Sequence, residues 1–161
     1  MAKGKRITSV RSCQPSYFGS DEMVDLRAYL PPLGRLLLSG LFVWSGFGKL
    51  MNAAVTTQYF ASHGIPAPDL MVWIAILIEL VGGLAILLGF KTRWVAAILA
   101  IWCLITGFAV HLSAGMHSAD AIVAYDNMIH FYKNLGMAGG LLYVVAFGAG
   151  ALSVDNGVRP Q

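Results

Sequence analysis

Apolar residues in this chain gather into four long blocks: Leu33–Leu50, Leu70–Phe90, Trp94–Leu112 and about Ile129–Leu152, each broken only by isolated polar residues. An α-helix rises about 1.5 Å per residue, so about 20 residues cross the roughly 30 Å hydrocarbon core of a bilayer. A buried helix of a soluble protein more often runs to about 10–14 apolar residues. Four blocks of this length in succession predict an all-α fold, a four-helix transmembrane bundle over residues 31–152 (spans 33–50, 70–90, 94–112 and 129–152). A polar tail over 1–30 and a short C-terminal tail over 153–161 flank it. Loops are expected at about Asn52–Asp69 and Ser113–Met128, with a short basic link at Lys91-Thr-Arg93.

Composition agrees with a bilayer as the solvent. Hydrophobic residues make up 57% of the chain and charged residues 12%, against ~25% charged in a soluble domain, and mean hydropathy is +0.68. The N-terminal stretch has no apolar core of the kind a cleaved signal peptide carries, so the first span is expected to direct insertion. Cys13 lies in that tail and Cys103 inside the third block. Such different settings predict neither a disulfide nor a thiolate metal centre.

The cations set an orientation. Lys3, Lys5, Arg6, Arg11, Arg27, Arg35, Lys91, Arg93 and Arg159 fall on one side of a four-span chain, and only Lys49 and Lys133 on the other. The positive-inside rule makes the first side cytoplasmic, with both termini there and the two longer loops outside. The expected location is the plasma (inner) membrane, crossed several times. The net charge of +3 reads as topology signal and contact with anionic lipid, and no nucleic-acid motif is present.

Against this apolar background the ionisable residues stand out. Glu79 is the one acid within the second block, near the bilayer midplane, where a charge costs at least a few kcal/mol unless paired or wetted. Gly82 and Gly83 share its face, which aims the carboxylate at a close helix contact. It serves there either as a functional group or as an ion pair that pins helix register. On the first helix Arg35, Ser39, Phe42, Gly46 and Lys49 form one narrow stripe. Arg35 is expected to snorkel to headgroups as an anchor, and Lys49 lies at the outer end.

The fourth block opens with His130-Phe-Tyr-Lys-Asn134, which places His130, Lys133 and Asn134 on one face that continues to Gly136 and Gly140. By helix rise, Lys133 can reach down toward Glu79; Lys133–Glu79 is the expected pair, with Lys49 a second cation at its rim. His111 and His130 complete an outward-facing cluster able to relay protons or hydrogen-bond a carbonyl. The histidines lack the local spacing of metal ligands, so no metal is expected. His63 and His117 read as solvated loop residues. Trp44, Tyr59, Phe60, Trp73, Tyr125, Phe131, Tyr132 and Tyr143 suit an interfacial aromatic belt, and equally a flat ring-shaped ligand.

Ser45-Gly-Phe-Gly-Lys-Leu50, Glu79-Leu-Val-Gly-Gly-Leu-Ala-Ile-Leu-Leu-Gly89, Lys91-Thr-Arg93 and Phe131-Tyr-Lys-Asn134 with Gly139-Gly-Leu141 follow one another in a pattern that resembles the DoxX family of small membrane proteins. The resemblance runs from about Gly34 to Phe147. It implies a four-helix membrane bundle and, loosely, a quinone-linked redox role, since the family takes its name from a subunit of a terminal quinol oxidase. Lys49, Glu79, Lys133 and Asn134 are the positions it marks. No haem, copper or iron–sulfur pattern is present, so other subunits of a redox complex are implied as partners. Two functions follow as expectations. In one, a quinone head group meets Glu79 and Lys133 as proton-handling residues, with Lys49, His111, His130 and Asn134 binding it. In the other, the bundle is an anchor, assembly factor or small-solute conduit without chemistry of its own.

Overall fold

The structure, a computed structural model, describes residues 20–157. These residues are all helical or loop, with no strand among them. Six helices succeed one another: α1 (Ser20–Met51), α2 (Ala53–Ser62), α3 (Pro68–Leu88), α4 (Thr92–His117), α5 (Ala121–Phe147) and the single turn α6 (Val154–Gly157). Cys13, the tail lysines and Arg159 lie outside the described residues.

Two of the helices begin well before their apolar blocks. α1 reaches back to Ser20 through Pro31 and Pro32, into the stretch expected as tail. α5 begins at Ala121, well inside the expected loop, because Asp120 Oδ1 accepts the backbone N–H groups of Ile122 (2.8 Å) and Val123 (3.3 Å). Such a cap satisfies donors that the first turn would otherwise leave open. α2 occupies much of the other expected loop. Two helices, α3 (mean hydropathy 2.5) and α4 (2.3), are long and apolar enough to cross a membrane; α1 and α5 dilute their apolar faces with the cations and amides described above.

The four long helices run alternately up and down, so the molecule has a Lys49 end and a Lys91 end. α1 packs on α3, α3 on α4 and α4 most extensively on α5, while α5 barely touches α1. Glycine sets the closest approach: a Cβ on Gly46 would lie 2.9 Å from the Leu80 nitrogen, and one on Gly83 would lie 3.0 Å from Phe42 Cβ. Between these helices Phe42, Ile86, Leu99, Cys103, Met137 and Leu141 form the main core. A smaller cluster of Phe60, Val72, Ala75, Ile76 and Trp102 tucks α2 under the Lys49 end. The face expected at Gly136 and Gly140 is only half realised. Gly140 meets Leu38 (3.3 Å), whereas Gly136 looks onto open space.

The Lys91 end is closed by the C-terminal segment. α3 stops at Gly89, whose φ of +71° suits a residue without Cβ. There Phe90 N–H donates to the Ala85 carbonyl (2.9 Å). Asp155 then caps α4: its carboxylate accepts Lys91 N–H (2.7 Å) and Thr92 N–H (2.8 Å), and its own N–H donates to the Gly89 carbonyl (2.9 Å). Arg35 does not snorkel to lipid. It is 3% exposed and donates through Nη2 to the Leu152 carbonyl. The stripe that carries it, with Ser39 and Phe42, is buried as its composition predicts, and the C-terminal segment folds over its end.

Candidate functional site

At the Lys49 end both long inner helices lose their regular winding. Leu77–Val81 of α3 and Gly107–Leu112 of α4 are π-helical, the first carrying Glu79 and the second His111. A π turn inserts an extra residue, widens the helix and re-aims the side chains beside it, and such turns recur at functional sites. Here the two insertions face a common cavity of about 370 Å³ that α2 roofs with Tyr59 and Phe60.

Glu79 is 7% exposed, and both of its oxygens are engaged. Oε2 accepts from Lys49 Nζ at 2.7 Å, and Oε1 accepts the indole N–H of Trp102 at 3.1 Å. Lys49 also donates to Ser45 Oγ at 2.6 Å. The expected Lys133–Glu79 pair is therefore not formed; Lys49 is the partner. The glycine contact that presses α3 against α1 brings the end of α1 over Glu79, while α5 stands on the far side of the cavity. Buried charges of this kind hold only when paired and hydrogen-bonded.

Lys133 instead turns along its own helix and donates to His130 Nδ1 at 3.0 Å. Since an ammonium only donates, His130 accepts at Nδ1 and carries its proton on Nε2. That nitrogen lies 3.5 Å from Asp126 Oδ2, on a carboxylate that reaches the surface. His111 stacks beside His130 with ring centroids 5.1 Å apart, and its Nδ1–H donates to Asn127 Oδ1 at 3.1 Å. The same oxygen accepts the Tyr59 hydroxyl at 3.3 Å. Burial, and after it the Asp126 carboxylate, pushes the Tyr59 hydroxyl above its ordinary pKa, so it acts as a neutral donor.

Asn134 is 9% exposed and lines the cavity; its side-chain amide meets no hydrogen-bonding partner among the described residues. The cavity walls thus bring together every residue that the sequence singled out: Lys49, Glu79, His111, His130, Lys133 and Asn134. His63 and His117 stay outside, each bonded to a backbone carbonyl one turn back, at Tyr59 and Ser113. Sequence reasoning missed Trp102, Thr106, Ser45 and Asn127. For Trp102 a signal existed: an indole in mid-block, away from any interfacial belt, must find an acceptor for its N–H. Among the described residues no group of three His, Cys, Asp or Glu is placed to hold a metal ion.

A second cavity of about 310 Å³ shares Ser45, Glu79, Trp102, Thr106, His130, Lys133 and Asn134 with the first, and continues past them to Leu41, Trp44 and Gly48 of α1 and Met137 of α5.

The family model for DoxX matches residues 30–112, which include Lys49, Glu79, Trp102 and His111. Two curated relatives extend the match. Inner membrane protein YqjF of Escherichia coli (strain K12) is 38% identical over 124 residues, 77% of this chain and 88% of the relative. Inner membrane protein YphA of the same strain is 36% identical over 130 residues, 81% of this chain and 91% of the relative. No solved structure matches significantly. The membrane character and inner-membrane location expected from the apolar blocks are borne out by these relatives. With family model and relatives in agreement over most of its length, the chain belongs to the DoxX family.

Proposed function

We propose that this protein crosses the inner membrane four times with both termini in the cytoplasm, and that the cavity at its outer end receives the head group of a quinone. It would do so as one subunit of a redox complex. One observation carries the reading: the cavity is rich in donors and short of acceptors. Glu79 is fully engaged by Lys49 and Trp102; Lys133, bonded to His130, has further N–H groups to offer, and the buried Asn134 amide faces the space with no partner among the described residues. A flat ring with two carbonyl oxygens among Tyr59, Phe60 and Trp102 would satisfy those donors. A donor left unpaired in a buried site otherwise costs about 1–3 kcal/mol.

In this reading Lys133 and Asn134 hold the ring oxygens, and the Lys49–Glu79 pair fixes the floor. Oxidation of a quinol releases two electrons and two protons. The electrons pass to a redox group of a partner subunit. One proton goes to His130 Nδ1 as the Nε2 proton leaves for Asp126 and the outer water. The other goes to Glu79 once Lys49 turns from it to the ring oxygen.

The test is titration of purified protein with a short-tailed ubiquinone analogue, followed by tryptophan quenching. Saturable quenching is expected, reduced in Trp102→Phe, with affinity lowered about tenfold or more, roughly 1.4 kcal/mol, by Lys133→Met. Absence of saturable binding would end the quinone reading. The alternative of a non-catalytic anchor draws support from Gly136 and Gly139, which face open space where another helix could pack. It gains if Glu79→Gln leaves quinol oxidation by the assembled complex unchanged.

A further inference from the structure

The second cavity shares the Glu79, Lys133 and Asn134 wall with the first and extends sideways from it. α1 and α5 meet at Leu38 and Gly140, toward the Lys91 end, where a Cβ on the glycine would lie 3.3 Å from the leucine. Above that contact the helices part, and the gap is walled by Leu41, Trp44, Gly48 and Met137. Trp44 is 80% exposed, so the gap opens on the face that α1 and α5 present to lipid. A Cβ added at Gly48 meets nothing within 4 Å. At the inner end of the same passage lie Glu79, Lys133 and Asn134. A slot that is apolar at its mouth and polar at its end matches a molecule with an apolar tail and a polar head.

We infer that the gap between α1 and α5 is a lateral doorway: the site takes its ligand from the bilayer, and the tail lies in the slot past Gly48 while the head group is held inside. The ligand class is therefore a membrane-dissolved, tailed amphiphile and not a water-soluble solute. This rests on the cavity being a head-group site, and names where its ligand comes from. Gly48 is the residue that keeps the doorway open. Its carbonyl accepts from Asn52 at the end of α1, but the side where a Cβ would stand is empty, so in the last turn of α1 it leaves the mouth of the slot clear.

The experiment uses the full chain in phosphatidylcholine vesicles and a dimethoxy-methyl-benzoquinone with an alkyl tail bearing a mid-chain diazirine. Photolysis is expected to label peptides containing Leu41, Trp44 and Met137, and the tailless benzoquinone is expected to displace the label. Gly48→Trp should lower that labelling at least about tenfold, with Leu41→Trp as a second variant that narrows the same mouth from below. Neither residue touches the head-group donors, so quenching by the tailless compound should persist in both variants. Labelling spread evenly over the outer helix faces, and equal in both variants, overturns the doorway even where the tailless compound still binds. Labelling that is lost in the variants but not displaced by the tailless benzoquinone supports the doorway and overturns the quinone head group, leaving another tailed amphiphile as the occupant.

Discussion

The Lys91 end and the Lys49 end of this bundle treat buried polar groups in opposite ways. At the Lys91 end, charge is spent on the backbone: Asp155 closes the start of α4 and Arg35 reaches the Leu152 carbonyl. Gly89 turns the chain in a left-handed conformation with its neighbours close around it. At the Lys49 end, the helices are π-wound, side chains bond mainly to one another, and donors still face an open cavity. The chain folds over the Lys91 end, burying Arg35 Nε, Arg35 Nη1 and Thr92 Oγ1 without a partner among the described residues, whereas the Lys49 end leaves its polar groups around an open cavity. Substitutions at the first should therefore change stability without changing ligand affinity, and substitutions at the second should separate the two.

The largest effect belongs to Glu79→Leu, which leaves Lys49 facing Trp102 and apolar walls. Breaking a buried pair on one side costs about 3–5 kcal/mol. The lower end applies because the Lys49 side chain keeps 22% exposure. Thermal unfolding in detergent should show it, and Glu79→Leu with Lys49→Met should recover most of the loss. A silent single variant would mean that the pair does not hold the Lys49 end together. Next comes Gly89→Ala, which forces a Cβ into a left-handed position at about 1–2 kcal/mol and against Arg35 and Ser153 besides. Asp155→Ala should cost about 1 kcal/mol, the usual loss for a helix cap. Both should leave quinone-analogue affinity within twofold, about 0.4 kcal/mol. A drop in affinity in either would join the two ends that the comparison separates.

Much of this arrangement is legible in the sequence, and the part that is not has a common cause. The four helices, the buried positions Ser39 and Phe42 of the first stripe, and the convergence of Lys49, Glu79, His111, His130, Lys133 and Asn134 follow from periodicity and from how rarely lipid tolerates such residues. The pairing does not follow. Helix rise puts Lys133 and Lys49 at similar heights over Glu79, and rise says nothing of which helix stands beside which. That choice is made by Gly46 against Leu80, a contact distant in sequence. The π turns at Glu79 and His111 are equally invisible, because Leu77–Val81 carries no helix-breaking residue and Gly107 in Gly107–Leu112 does not distinguish a π turn from an ordinary one. Arg35 departs from the expected anchor: a cation near a span end usually finds headgroups, whereas here the C-terminal segment folds over it first.

The smallest effect, and the sharpest on the Lys49 end, belongs to Tyr59→Phe. The Tyr59 hydroxyl bonds Asn127 Oδ1 at 3.3 Å, an oxygen that His111 already occupies. Losing one of two donors should cost about 0.5 kcal/mol, the low end for a hydrogen bond. Its pH dependence is distinctive. Burial and Asp126 raise the Tyr59 pKa above its unfolded value, so the folded chain keeps this proton more tightly than the unfolded one. The contribution is then whole below about pH 10 and fades as pH rises past the unfolded value toward the folded one. Unfolding of wild type and Tyr59→Phe between about pH 8 and about pH 11 should therefore converge as the solution becomes more alkaline. A constant difference across that range would place the phenol in water, and would detach α2 from the polar chain it is described as joining.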